Sequence, residues 1–314
     1  MAETKLSTHR LDALFLRDMN LVDDVMGKMT FTDAMFYHII GTAPSPGQTA
    51  ILDAVLVTLM EHGFTPSAIS TRLTYLSAPE AMQAAVAAGL LNVASQFIGT
   101  MENAATLLAE IKASPDGAEH AAATIVQRYR AAGTYMPGFG HHLHRPDDPR
   151  TPKLFAIAAA HDDIDQSPIE MIQILGRAVD KAYGKHLTIN ATGATAAVLM
   201  GAGIPVGIMR GFAVISRAAG LVAHVMEEQQ SPTGRTIWDL VDKTIPYTGN
   251  AKLTADPSDL AARLGRMSWP HAPVLMQSFM RHHRGGVKCF AHIQGKRKYF
   301  AFLLIFSPNS RIIL

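Results

Sequence analysis

Between Pro137 and Arg150 the chain reads PGFGHHLHRPDDPR. Three histidines (His141, His142, His144), two arginines (Arg145, Arg150) and two aspartates (Asp147, Asp148) share that stretch of an otherwise alanine-rich, apolar chain. Such groups can bind a metal, solvate a turn, or line a pocket for an anion. The metal reading lacks its usual partners, because no cysteine is near and no H-E-x-x-H or C-x-x-C spacing occurs. No metal is assigned. The turn reading has support, since Gly, Pro and Asp are turn residues. The anion reading needs further polar groups able to converge on the same point. MEHGFTPSAIST supplies His62, and FAVISRAAGLVAH supplies Arg217. Arginine grips a carboxylate through two parallel hydrogen bonds and keeps its charge at any working pH. Histidine can donate to a ketone or hold a hydroxyl. Taken singly, each of these residues is more often a satisfied core or rim residue.

The elements that must position these groups read as helices. FTDAMFYHIIG predicts a helix capped by Thr32, with Met35, Phe36, Ile39 and Ile40 on one face and Gly41 as its stop. Ser45 before Pro46 opens another, which ends at Gly63. APEAMQAAVAAGLLNVASQFIG reads either as a buried helix whose small residues admit close neighbours or as plain high helix propensity. Helical patterns continue on both sides of a loop over 134–153, and almost no strand pattern precedes residue 285. The expected fold class is mainly α.

The chain has 314 residues, 48% of them hydrophobic, and a net charge of +2. That length can bury one large core or two intimate ones. Residues 281–314 hold seven Lys/Arg and no Asp or Glu, so residues 1–280 carry 21 basic against 26 acidic groups. The aromatic, β-branched tail predicts one or two strands, a partner-binding segment, or a foreign or frame-shifted end. HHRGGVK and GKRK could attract nucleic acid, but no recognisable binding motif accompanies them, so no such partner is assigned. Cys289 is the lone cysteine, which excludes an intrachain disulfide. With no apolar signal core at the start and a longest terminal apolar run of eight residues, Tyr299–Phe306, the expectation is a cytoplasmic protein with no membrane span.

PGFGHHLHRPDDPR, LMEHGFTPSA and GFAVISRAAGLVAHVMEEQ, in their order along the chain, resemble the citrate synthase superfamily over roughly residues 30–250. That superfamily holds citrate synthases, 2-methylcitrate synthases and citryl-CoA lyases, including the lyase module of ATP-citrate lyases. The resemblance implies a large helical domain with a smaller inserted helical domain. The corresponding spans are 1–95 and 196–265 for the large domain, 96–195 for the small one, and 266–314 for an atypical basic tail. It implies a homodimer, with the active site in the cleft between the domains. It assigns His62, His141, Arg150 and Arg217 to the oxaloacetate end of the substrate. It lays the backbone of Pro137, Gly138, Phe139 and Gly140 against the adenine of a coenzyme A thioester, and sets Arg145 to meet its phosphate. The thioester is a substrate, and no tightly bound cofactor is implied.

Two departures bear on function. Citrate synthases carry G-P-L-H-G-G-A-N, whose histidine stabilises the enol of acetyl-CoA. Here the stretch is SQFIGTMENAA, with Ile98 at the histidine position. The catalytic carboxylate of N-V-D-G becomes Thr192 in INATGATAA. A threonine hydroxyl cannot serve as a general base near neutral pH, though it can orient a hydrogen bond. Glu102 is the acidic residue nearest in sequence to the lost histidine and is a candidate substitute, with a solvated role as its default. The implied activity is citryl-CoA lyase-like, giving acetyl-CoA and oxaloacetate or another 2-oxo acid. A citrate or 2-methylcitrate synthase is the alternative, and so is a catalytically silent subunit that binds a CoA ester or dicarboxylate. His224 and Glu227, three apart on one helix face, read as a structural pair. His161 and His186 read as surface residues.

Overall fold

In a computed structural model, residues 2–249 and two short strands of the tail are described. Three short antiparallel strands come first: β1 (Ser7–His9), β2 (Leu14–Leu16) and β3 (Met19–Asn20). The sequence pattern missed them, because strands of two or three residues are too short to show alternation. Eleven α-helices follow among the described residues: α1 (Phe31–Ile40), α2 (Pro46–Met60), α3 (Pro66–Ser77), α4 (Met82–Leu90), α5 (Thr100–Ala113), α6 (Ala118–Ala132), α7 (Arg150–Ala159), α8 (Ser167–Tyr183), α9 (Ala191–Gly201), α10 (Met209–Gln230) and α11 (Gly234–Thr244). The chain is thus mainly α. In the tail, β4 (His292–Gln294) pairs antiparallel with β5 (Arg297–Tyr299). The remaining expectations for the tail lie outside the described residues.

The helix starts follow local chemistry, with one correction. Thr30, not Thr32, caps α1, its hydroxyl accepting from the Asp33 N–H at 3.1 Å. Thr32 is buried and turns its hydroxyl to Asp53 instead. Ser45 and Gln48 form a full capping box at α2, with Pro46 in the first turn. The alanine-rich segment is also corrected. Its helix stops at Leu90, and α4 buries only Ala85 and Gly89. Gly89 still serves close approach: a Cβ there would meet Thr71 Oγ1 of α3 at 2.1 Å and Ser67 O at 2.8 Å.

Residues 1–246 form one compact unit, and the two tail strands belong to a second, 247–314. Within the first, α5, α6, α8 and α9 pack on one another, α3, α4, α10 and α11 form a second group, and α2 touches α7, α9 and α10. The core runs through Ile51, Leu52 and Val55 of α2, Leu108 of α5, Ile172 of α8 and Phe212 of α10. Each fully buried aliphatic side chain contributes about 1.5–3 kcal/mol. Helix α9 is buried nearly all round, as its apolar circumference requires. By length and composition α10 could cross a membrane. Its Arg217, His224 and Glu228 are buried against the protein, however, and the helix packs on α2, α3 and α4.

Candidate functional site

Four pieces of chain meet at one place. Helix α2 stops at Met60 and delivers Glu61 and His62; α7 begins with Arg150; α9 begins with Ala191 and Thr192; and α10 carries Arg217. His62, His141, Arg150, Thr192 and Arg217 all line a single cavity of about 750 Å³. The five residues are spread over more than 150 positions of sequence, and only the fold brings them together.

The loop before α7 is held by backbone. Gly138 and Gly140 have φ of +84° and +77°, a region that favours glycine. Gly138 also lies against Gly193 of α9, where a Cβ on Gly193 would meet Gly138 O at 2.5 Å. Gly138 O accepts from the Asn190 N–H at 3.0 Å, and the Gly140 N–H donates to Thr188 O at 2.8 Å. Asn190, the cap of α9, donates its side-chain amide to Gly140 O at 2.9 Å. The G-x-G element therefore docks the loop on the start of α9. Of the residues expected to meet coenzyme A, Gly140 lines the cavity, Pro137 and Gly138 are buried in this docking, Phe139 packs near Gly176 and Ile189, and Arg145 is exposed.

His141 is fixed by its own loop. Its Nδ1 accepts the backbone N–H groups of Leu143 at 3.1 Å and His144 at 3.0 Å. The proton of the neutral ring is therefore on Nε2, which makes Nε2 a donor. Burial, then the neighbouring His144 and His142, holds the His141 pKa below its ordinary value. His62, 5.6 Å away between ring centroids, is lowered by burial and by the charges of Arg150 and Arg217. Both rings are neutral at neutral pH. His141, His144 and Asp148 present ligand atoms within 4.8 Å of one another. The chemistry does not fit a cation, because ligation through His141 Nε2 would put the ring proton on Nδ1, against two N–H donors.

The two arginines differ. Arg150 Nε and Nη2 donate to the Asp148 carboxylate at 2.9 and 2.7 Å. Asp148 is fully buried and also accepts from the Ala191 N–H at 3.0 Å. Burial would raise its pKa, but the Arg150 hydrogen bonds outweigh this and keep the carboxyl below its ordinary range. Arg217 is only 5% exposed, and its Nε and Nη1 have no hydrogen-bond partner. Burial lowers its pKa, yet an arginine stays protonated. The charge of Glu61 opposes that shift, and the Nε and Nη1 donors remain free to meet an anionic group.

The family model for the citrate synthase C-terminal domain matches residues 16–238. The chain belongs to the citrate synthase family. It is 25% identical over 226 residues to a citrate synthase from Haloferax volcanii, covering 71% of this chain and 56% of the relative. It is 27% identical over 218 residues to a 2-methylcitrate synthase from Shewanella oneidensis, covering 68% and 54%. The chain spans about half the length of these curated relatives. Among solved structures it is similar to a citryl-CoA lyase from Hydrogenobacter thermophilus, with 28% identity, a TM-score of 0.72, and coverage of 83% of this chain and 99% of that one. An ATP citrate lyase from Methanothrix soehngenii, solved with citrate and coenzyme A, shares the fold at 16% identity and a TM-score of 0.67, covering 80% and 42%.

Against the citrate synthase pattern, Ile98 lines the cavity beside Phe97 and presents no donor. Thr192 donates to Asn190 Oδ1 at 2.7 Å and lies 2.9 Å from the Thr100 hydroxyl. Thr100 in turn donates to Phe97 O at 2.7 Å. These hydroxyls are engaged with one another and with the chain. Glu102 pairs with Arg210 and is not among the residues lining the cavity.

Sequence reasoning missed Glu61, the one carboxylate that lines the cavity among the described residues. Its Oε1 accepts the N–H groups of His62 at 2.7 Å and Gly63 at 2.6 Å. Burial would raise its pKa, but those bonds and the neighbouring His224 bring it below the ordinary value. Its only sequence signal was adjacency to His62. The expected His224–Glu227 pair takes another form, since both contact the buried Arg72 of α3. His186 is exposed, as expected, but is engaged by two aspartates. His161 is half-buried.

Proposed function

We propose that the chain is a citryl-CoA lyase-like enzyme, cleaving citryl-CoA or a related 3-hydroxy-3-carboxyacyl-CoA to acetyl-CoA and a 2-oxo acid. The carrying observation is the cavity's charge pattern: a buried, unpartnered Arg217 and a braced Arg150 beside two neutral imidazoles. Arg217 binds one substrate carboxylate through its free Nε and Nη1 edge. Arg150 binds another with the N–H groups that Asp148 leaves free. His141 Nε2–H donates to the hydroxyl oxygen that becomes the ketone. Neutral His62 accepts the hydroxyl proton. The C–C bond then breaks, its electron pair passes to the thioester as an enolate, and the enolate carbon takes a proton from water. No carboxylate stands at Thr192 to perform that transfer. The loop from Pro137 to Arg145 meets coenzyme A, residues 96–195 close on the cleft as the smaller lobe, and the chain works as a homodimer.

Ile98 favours the lyase reading over the synthase one, because by the resemblance citrate synthases carry a histidine at this position and ATP-citrate lyase modules lack it. Likeness to a citryl-CoA lyase over nearly all of that protein's length supports the same choice. The engaged Thr192 hydroxyl favours a second reading, a subunit that binds a CoA ester and a dicarboxylate without turnover. Calorimetry with oxaloacetate and coenzyme A, beside a citryl-CoA cleavage assay, separates them. Binding with cleavage supports the enzyme, binding alone supports the silent subunit, and absence of both sinks the site assignment.

A further inference from the structure

Adjacent aspartates in the substrate loop face opposite ways. Asp148 points inward and braces Arg150. Asp147 points outward, and its Oδ1 lies 3.0 Å from His186 Nε2. The other ring nitrogen, His186 Nδ1, lies 2.6 Å from Asp180 Oδ2 near the end of α8. Asp180 is anchored in turn, because its Oδ1 accepts the Leu187 N–H at 2.8 Å. The charged groups bonded to the imidazole are thus Asp180, from α8, and Asp147, from the loop. Both ring nitrogens face carboxylate oxygens, which accept and do not donate. Only an imidazolium carries two N–H groups, while a neutral ring satisfies one carboxylate and leaves the other facing a lone pair.

We propose that His186 is a positioning residue for the substrate loop, a proton-operated pin that ties Asp147 to Asp180 and thereby holds Asp148 and Arg150 at the cavity. When the proton leaves, one of the two bridges must go, and the longer one, to Asp147, is the one lost. The Asp180 and Asp147 hydrogen bonds also raise the His186 pKa. The sign follows: the pin is complete below the ordinary value of 6.5 and is released as pH rises through the elevated native value. His62 and His141 are shifted the other way, so their titration lies on the acid side of this step.

The proposal rests on the reading that the cavity takes a dicarboxylate, and the test keeps the two apart. Oxaloacetate binding is measured by calorimetry from about pH 6 to about pH 9, a range that spans histidine titration. The wild type should weaken by about two- to fivefold at the alkaline end, the scale of a solvent-exposed ion pair, and less so in high salt. His186→Gln should be weak at every pH and show no alkaline step. His186→Arg keeps a cation at every pH and should restore tight, step-free binding. An unchanged step in His186→Gln, or a flat wild-type profile, overturns the pin. If oxaloacetate does not bind at any pH, the functional reading has failed. Hydrogen exchange of the loop amides then decides the pin by itself. Protection over 141–149 that falls with pH in the wild type but not in His186→Arg supports it, and equal behaviour overturns it.

Discussion

Arg72 donates its Nε–H to His224 Nδ1 at 2.9 Å, joining α3 to α10 in the protein interior. That bond puts the proton of the neutral His224 ring on Nε2, which lies 3.0 Å from Glu61 Oε2, though without the alignment of a hydrogen bond. Glu61 in turn holds the backbone of His62. Arg72 Nη1 also reaches Glu228 at 2.8 Å and Thr233 at 2.9 Å. A fully buried arginine thus stands behind the cavity wall. Arg72→Ala should destabilise the fold by about 3–5 kcal/mol, because it strands buried Glu228 without its cation. Urea unfolding measures this, and a loss below about 1 kcal/mol, the scale of a surface pair, would contradict the buried network.

Arg217 should behave in the opposite sense. Its side chain is buried with two nitrogens unpartnered, so the folded protein carries a desolvation cost that the charge of Glu61 opposes without a hydrogen bond. Arg217→Met should leave stability unchanged or higher while weakening dicarboxylate binding by about 2–5 kcal/mol. Thermal unfolding and oxaloacetate calorimetry on the same variant check both halves. Unchanged affinity would remove Arg217 from the substrate site.

Thr192→Asp places a carboxylate in the first turn of α9, where the helix dipole favours negative charge. Exchange of the acetyl-CoA methyl protons with deuterated water, followed by NMR, isolates proton abstraction. The wild type should exchange slowly, and the variant should gain about 10²–10⁴-fold, the usual contribution of a general base. Fast exchange in the wild type would mean that another group supplies the base, with Glu61 the first to replace by glutamine.

Acid stability should report the carboxylates. Asp148 and Glu61 both titrate below their ordinary values of 3.8 and 4.5. Their contribution is therefore complete above those values and is lost as pH falls through the lower native ones. The urea midpoint should drop on acidification, and Asp148→Asn should flatten that drop while lowering stability at neutral pH. An equally steep profile in Asp148→Asn would contradict the Arg150 brace.

The residues that could be read from the sequence are those whose motifs are local. His141, Arg150 and their glycines share one stretch, His62 follows the end of an apolar helix, and Arg217 is a charged residue within one. Arg72 could not be read that way. In STRLTYLS it resembles an ordinary polar helix residue, and its burial depends on partners 152 to 161 positions away. Glu61 was hidden by its neighbour, since nothing in EHG says which side chain accepts the local N–H groups. The α1 cap was misplaced although its signal was present: Thr30 stands three residues before Asp33, the spacing of a reciprocal cap, whereas Thr32 stands next to it. The helix-rich fold was legible because helix-favouring, alanine-rich composition runs through most segments, with an apolar stripe on α6 and α8.

Gly138 and Gly193 let two backbones touch with no side chain between them. A joint of this kind has no rotamers to adjust and nothing compressible to absorb a shift. The loop bearing His141 and the helix bearing Thr192 are therefore registered to each other like two parts cut from one block. Chemistry at position 192 can be gained or lost by one substitution, while the half of the cavity formed by Arg150 and Arg217 keeps its shape.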